Sequence, residues 1–189
     1  MSVFAGIEIE PLSLEGVFLI TPKRFPDGRG FFTEIFKRNA LRDAGLDIDF
    51  IQDNFSHSAV PGVVRGLHFQ LPPFAQTKLV MVLAGRIFDA VVDLRRASKT
   101  FGQTFYLELS AEKGQQLLVP KGFAHGFAVL EAGTSVLYKV DAPYAPNHEA
   151  GIHFTDPDLH IPWPIRAQDA VVSAKDAALP RLKDAKIPF

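Results

Sequence analysis

Short runs rich in Val, Ile, Leu and Phe recur along the chain, each bounded by Gly, Pro, Asn or Asp. The pattern predicts strands at Gly16–Ile20, Phe31–Lys37, Ile51–His57, Val63–Gln70, Gln76–Leu83, Arg86–Leu94, Gly102–Leu109, Gln116–Val119, Gly126–Leu130 and Thr134–Val140. Strands this short and this evenly punctuated predict an all-β sandwich or barrel. An early helix is expected over Ala40–Ala44, with Asn39 as N-cap and Gly45 as its stop, and a shorter one near Ala174–Ala178. The stretch Pro143–Pro180, rich in Pro, His and Asp, reads as covering loops rather than a second domain. With 189 residues, the expected organisation is one domain, 1–189. Its N-terminal strands and a C-terminal loop and short-helix segment, about 143–189, pack on the barrel.

Val80, Met81, Val82 and Leu83 are apolar on both faces of their strand, so that strand is expected to be buried on both sides. Lys78 opens it, and Asp89 and Asp93 lie in the next strand among Ile87, Phe88, Val91 and Val92. Charges there are costly unless paired. They either tie the two strands together as a Lys–Asp pair or line a cleft in a barrel mouth. Composition narrows the picture further. The 17 Phe, against one Trp and three Tyr, favour β structure. Cys is absent, which removes disulfides and thiolate chemistry. A net charge of −1 with both signs interspersed gives nucleic acid no basic face. No apolar run reaches the roughly 20 residues of a membrane span, and the N-terminus does not read as a secretory signal. The expected compartment is the cytoplasm.

Two stretches carry the chemistry. Gly114–His125 matches the second cupin motif, G-x5-P-x-G-x2-H, and Gly62 and His68 match the Gly-x5-His of the first. There the metal pattern breaks. Gln70 stands where a metal-binding cupin has a second His, Phe74 or Ala75 where it has Glu, and Val129 where the second motif ends in Asn. His68 and His125 alone make an inadequate site for zinc or iron, so no metal and no cofactor is expected. A neutral imidazole is a ready general base without one. Arg65 lies three residues before His68, so the two share a face only if Gly66 bulges the strand. With such a bulge, Arg65, Gln70 and Lys78 are expected to converge near His68.

In order along the chain stand Asp27–Glu34, Gln52–Ser56, Val64–Gln70 with Pro72-Pro73, Gln76–Val80, Val92–Arg95, Pro120–Phe127, Tyr138-Lys139, Tyr144–Pro146, Glu149, Asp156-Pro157 and Ser173–Asp176. By these residues the chain, from about Gly16 to Pro180, resembles the dTDP-4-dehydrorhamnose 3,5-epimerase family of the cupin superfamily. The resemblance implies a cupin-like jelly roll acting on a dTDP-linked 4-keto-6-deoxyhexose. The ketone at carbon 4 acidifies carbons 3 and 5, and each centre inverts by deprotonation to an enolate and reprotonation from the other face. By family position His68 is the base, Asp176 the carboxylate that orients it, Lys78 the cation at the enolate oxygen and Tyr138 the acid. Arg29, Glu34, Gln52, Asn54, Arg65, His125, Glu149 and Lys175 fall on substrate-contacting positions, where Arg and Lys suit a pyrophosphate. Phe32 and Tyr144 are aromatic candidates for packing on sugar or base. The Arg29–Glu34 strand is implied to serve a neighbouring subunit's site, which makes a homodimer expected.

Phe69, where the family commonly has Tyr, is a departure without an assigned role. Three rivals stay open at this point: a single 3- or 5-epimerase of another deoxysugar pathway, a metal-dependent cupin oxygenase, and a catalytically silent sugar-binding jelly roll.

Overall fold

The computed structural model describes residues 2–4 and 6–189. The strands in chain order are β1 Ser2–Phe4, β2 Ile7–Pro11, β3 Phe18–Pro22, β4 Arg24–Asp27, β5 Gly30–Thr33, β6 Gln52–Ser58, β7 Val63–Gln70 and β8 Lys78–Ala84. There follow β9 Arg86–Asp93, β10 Thr104–Ser110, β11 Gln116–Val119, β12 Phe123–Val129, β13 Thr134–Val140, β14 Glu149–Gly151 and β15 Val171–Val172. Two short helices, α1 Arg38–Asp43 and α2 Ala174–Ala177, complete the regular elements apart from single 3-10 turns.

Two sheets face each other as a jelly-roll sandwich. One runs β1-β2-β3-β11-β8-β13-β6, the other β10-β9-β12-β7-β14, with β15 added in parallel beside β7. Val80, Val82, Leu117, Val119 and Val136 from the first sheet meet Val91, Phe123, Phe127 and Val129 from the second. At about 25 cal/mol per Å² of apolar surface removed from water, this layer is the main driving force for the fold. β8 is buried on both sides from Lys78 to Val82: Leu79 joins a second cluster with Ile7, Ile20, Ala40 and Leu41 under α1. Leu83, expected to be buried with them, is exposed.

The covering role expected of the last third is filled by Ile152, Phe154, Leu159, Ile187 and Trp163, which close the outer face of the second sheet over Val64, Phe88, Val92 and Ala128. The polar backbone of this irregular segment is satisfied locally. Trp163 Nε1 donates to the Phe154 carbonyl at 2.7 Å, and the Asp156 carboxylate accepts from the Leu182 and Asp158 amides.

Three expectations are corrected. The predicted strand Phe31–Lys37 is shorter, Gly30–Thr33, and pairs only with β4 as a hairpin outside both sheets; with no second neighbour its ladder ends where β4 ends. The early helix starts at Arg38 with Lys37 in the N-cap position and no side-chain cap, so Asn39 lies inside its first turn. Gly45 does stop it, at φ +83, with Leu46 N–H returning to the Leu41 carbonyl. Finally, β12 begins at Phe123 rather than Gly126, which puts His125 on a central strand.

Candidate active site

The cross-strand register between β7 and β12 decides where the reactive groups point. His68 pairs with His125 and Arg65 with Phe127, so three steps on β7 match two on β12. The extra residue is a bulge at Gly66, where φ is +113. Close approach requires glycine on both strands: a Cβ on Gly66 would sit 2.6 Å from Gly126 Cα, and one on Gly126 would sit 2.7 Å from the Arg65 carbonyl oxygen. The bulge turns Arg65 and His68 into one cavity of about 610 Å³ between the sheets. Its walls also include Lys78, His125, Tyr138, Glu149, Lys175 and Asp176.

His68 Nε2 donates to Asp176 Oδ1 at 2.8 Å. Asp176 sits in the single turn of α2, which Ser173 caps by accepting the Asp176 amide at 3.0 Å. Its second oxygen accepts the Gly66 amide at 3.1 Å, so the bulge and the cap hold one carboxylate between them. Burial works to raise the Asp176 carboxyl, but the His68 hydrogen bond and charge, with the Gly66 amide, outweigh it and leave it below its ordinary value. The imidazole is thereby oriented, and its proton has an ionised acceptor.

Lys78 is buried at the start of β8 and donates to the His68 carbonyl at 3.2 Å. Burial lowers its ammonium to about 8, against the opposing fields of Asp89 and Glu149. Tyr138 stands on β13, in the sheet facing His68. Burial raises its phenol above the ordinary value and Glu149 adds to this, while Arg65 opposes it. Glu149 accepts from Lys175 and, at 2.7 Å, from the Tyr144 hydroxyl. Burial pushes the Glu149 carboxyl up, and those two donors bring it below its usual range. One cavity thus offers an oriented imidazole, a phenol on the opposite sheet and a buried ammonium.

The charged strand residues are partnered differently from the direct Lys–Asp pair considered above. Fully buried Asp89 accepts from His125 Nε2 at 2.9 and 3.0 Å and reaches Lys78 only through its field. Asp93 is bound by Arg95, Ser98 and Thr100 in the turn after β9, well below its usual carboxyl range, and takes no part in the cavity. His68 and His125 each have a carboxylate partner, and among the described residues no group of three or more His, Cys, Asp or Glu is placed to hold a metal ion.

Arg29, Glu34, Gln52 and Asn54 are not among the residues that line the cavity of a single chain. Arg29 is at the exposed hairpin turn paired with Asp27, and Glu34 pairs with Lys37. Gln52 donates to Asn54 at 2.8 Å on β6. Gln70, expected near the reactive groups, is buried and bonded to loop backbone instead. The cavity wall also uses Ser56, Val63, Phe127 and Val171–Ser173. Ser56 shares its strand face with Gln52 and Asn54 at alternate positions, a period legible in the sequence. Among the described residues, its hydroxyl oxygen is the buried side-chain polar atom without a hydrogen-bond partner. Nothing local announces Val171 and Val172, which arrive by parallel pairing with a strand more than a hundred residues earlier.

A family model described as dTDP-4-dehydrorhamnose 3,5-epimerase matches residues 11–184. The dTDP-4-dehydrorhamnose 3,5-epimerase of Sinorhizobium fredii is 47% identical over 180 residues, 95% of this chain and 92% of that one. The crystal structure of the Bacillus anthracis enzyme of the same name, with TDP and PPi bound, superposes with a TM-score of 0.91 at 46% identity and covers 93% of this chain and 99% of that one. The Legionella pneumophila dTDP-6-deoxy-D-glucose-3,5-epimerase, in complex with dTDP-4-keto-L-rhamnose, gives 0.88 at 44% identity, with 94% and 93% covered. Extent, identity and shape agree, and the chain belongs to the dTDP-4-dehydrorhamnose 3,5-epimerase family.

Proposed function

We propose that this protein inverts carbons 3 and 5 of dTDP-4-keto-6-deoxyglucose, the epimerisation step of dTDP-L-rhamnose formation. The observation that carries the reading is the His68–Asp176 pair at 2.8 Å, in one cavity with Lys78 and with Tyr138 on the facing sheet. His68 removes the proton beside the ketone, and Asp176 steadies the imidazolium that forms. Lys78 meets the developing enolate oxygen; removing a comparable donor costs on the order of a hundredfold in rate. Tyr138 returns a proton from the other side, which inverts the centre. These are proton transfers only, so the chemistry calls for no redox cofactor.

Arg65, Lys175, His125 and Glu149 bind the sugar diphosphate within the chain. Arg29 and Glu34, at the hairpin, serve a second subunit's cavity, and Gln52 and Asn54 on β6 contact substrate. The exposed aromatic side chains Phe31 and Phe32 on the hairpin support a homodimer. Incubation with substrate in deuterium oxide tests the activity. Label is expected at both carbons; label at one carbon alone indicates a single-site epimerase, and none at either refutes the proposal. His68→Ala is expected to abolish exchange and Asp176→Ala to reduce it less. Tyr138→Phe is expected to keep part of the initial exchange while net inversion fails.

A further inference from the structure

Gln70 occupies the position where a metal-binding cupin carries its second histidine, on the same face of β7 as His68 and two residues further on. Its side chain is turned to the backbone of two loops. Nε2 donates to the Phe74 carbonyl at 2.7 Å and the Pro143 carbonyl at 3.1 Å, and Oε1 accepts the Ala145 amide at 2.7 Å. Gln76 Nε2 holds the neighbouring Ala142 carbonyl at 2.9 Å. Asp141, one residue earlier, accepts the Thr77 amide at 2.7 Å. Gln52 Oε1 on β6 accepts the Tyr144 amide at 3.2 Å, so the irregular segment from 141 to 145 is fastened almost residue by residue, with Gln70 and Gln76 holding the residues on either side of Tyr144. Short loops with free backbone groups are mobile by default, so this density of fastening has a consequence. The residue it presents is Tyr144, exposed at the ring and tied by its hydroxyl to Glu149, which lines the cavity beside Lys175.

We propose that Gln70 and Gln76 are positioning residues for substrate binding: they clamp the 142–145 segment so that Tyr144 and Glu149 are set at the cavity mouth before substrate arrives. Affinity, rather than the proton-transfer steps, depends on them. The glutamine at this position has a scaffolding task, because an amide donates and accepts at once whereas a metal-bound imidazole keeps a single N–H donor and no acceptor. Preorganised contacts bind more tightly since their ordering cost is met in advance. This inference rests on the epimerase reading for its choice of ligand.

The experiment compares wild type with Gln70→Leu and Gln76→Leu, using dTDP binding by calorimetry and deuterium exchange at saturating substrate. Kd for dTDP and KM are expected to rise roughly ten- to hundredfold in Gln70→Leu, and less in Gln76→Leu, which breaks a single bond. The saturated exchange rate is expected to stay within about twofold of wild type, since no reacting group has moved. Combining Gln70→Leu with Tyr144→Ala should add little to the affinity loss of Tyr144→Ala alone, whereas additive losses overturn the proposal. A lowered melting temperature with unchanged Kd overturns it also, as does a fall in saturated rate with KM intact. If Gln70→Leu does not fold, Gln76→Leu carries the same comparison. Wild-type protein that binds dTDP without exchanging protons defeats the epimerase reading but leaves the Kd comparison decisive for the clamp.

Discussion

Lys78 shows how one side chain ties activity to pH. Its ammonium is lowered by burial from 10.5 to about 8. Between those values the unfolded chain holds more protons than the folded one, so stability rises with pH through that window. Below it the folded protein bears the full cost of a buried charge, on the order of 3 kcal/mol. Catalysis runs the other way, because only the ammonium can meet an enolate oxygen. The exchange rate is expected to fall as pH passes about 8, while Tyr138, pushed above its ordinary value, stays protonated. Lys78→Arg keeps its charge across this range, so its rate should be lower at neutrality but lack the alkaline fall. A pH–rate profile of both proteins decides the matter: the same fall in the Arg variant would clear Lys78 of the role. His68 and Lys78 were legible in the sequence as groups too polar for their strands. Asp89 was legible as a charge needing a His or Lys partner, but which one it takes was not, because side chains that meet across strands leave no mark on spacing along the chain.

At the scale of elements, the bulge on β7 is the feature on which the site turns. Parity alone demanded an irregularity if Arg65 and His68 were to share a face, and Gly66 was the one residue between them able to adopt φ +113. The sequence did not show that β12 must also give way. Gly126 looked like a strand start and is instead a mid-strand gap into which the bulge fits. Gly66→Ala is expected to cost about 2 kcal/mol or more, since the added methyl meets backbone on β12 and the conformation is strained for any L side chain. It should also lower exchange activity, because His68 and Arg65 can no longer face one cavity. Thermal melting and exchange rates measure both effects; a variant as stable and active as wild type would show that the bulge is not required. The C-terminal segment shows the same limit. Its covering role was readable from Pro and polar content, but the parallel strand β15 was not, since two residues carry too little pattern.

For the molecule as a whole, the unpaired hairpin is the element that a single chain does not explain. Among the described residues β4 and β5 pair only with each other, and they present Phe25, Phe31 and Phe32, the last 66% exposed, while Phe55 on the edge strand β6 is 62% exposed. Large apolar side chains gathered on projecting and edge elements suit a second copy of this chain. If each cavity borrows Arg29 and Glu34 from its neighbour, Arg29→Ala and His68→Ala proteins should both be inactive alone. Mixed under conditions that exchange subunits, they should regain activity, because one site in each mixed dimer has both residues intact. Absence of recovery in verified mixed dimers would remove the shared site. Phe32→Glu is expected to shift sedimentation towards the monomer and to lower activity with it.

The sequence by itself determined the all-β class, most of the strands, the failure of the metal pattern and the residues that carry the family resemblance. Each of these is written in local period, local spacing or residue type. Tertiary structure alone decided the partners. It joined Asp89 to His125 and Gln70 to the 142–145 loop, set the Asp176 carboxylate that family position assigns to His68 at 2.8 Å from it, and left Arg29, Glu34, Gln52 and Asn54 outside the cavity wall of one chain. Those pairings depend on strand order and register, which are settled by the burial of whole sheet faces rather than by any neighbouring residues.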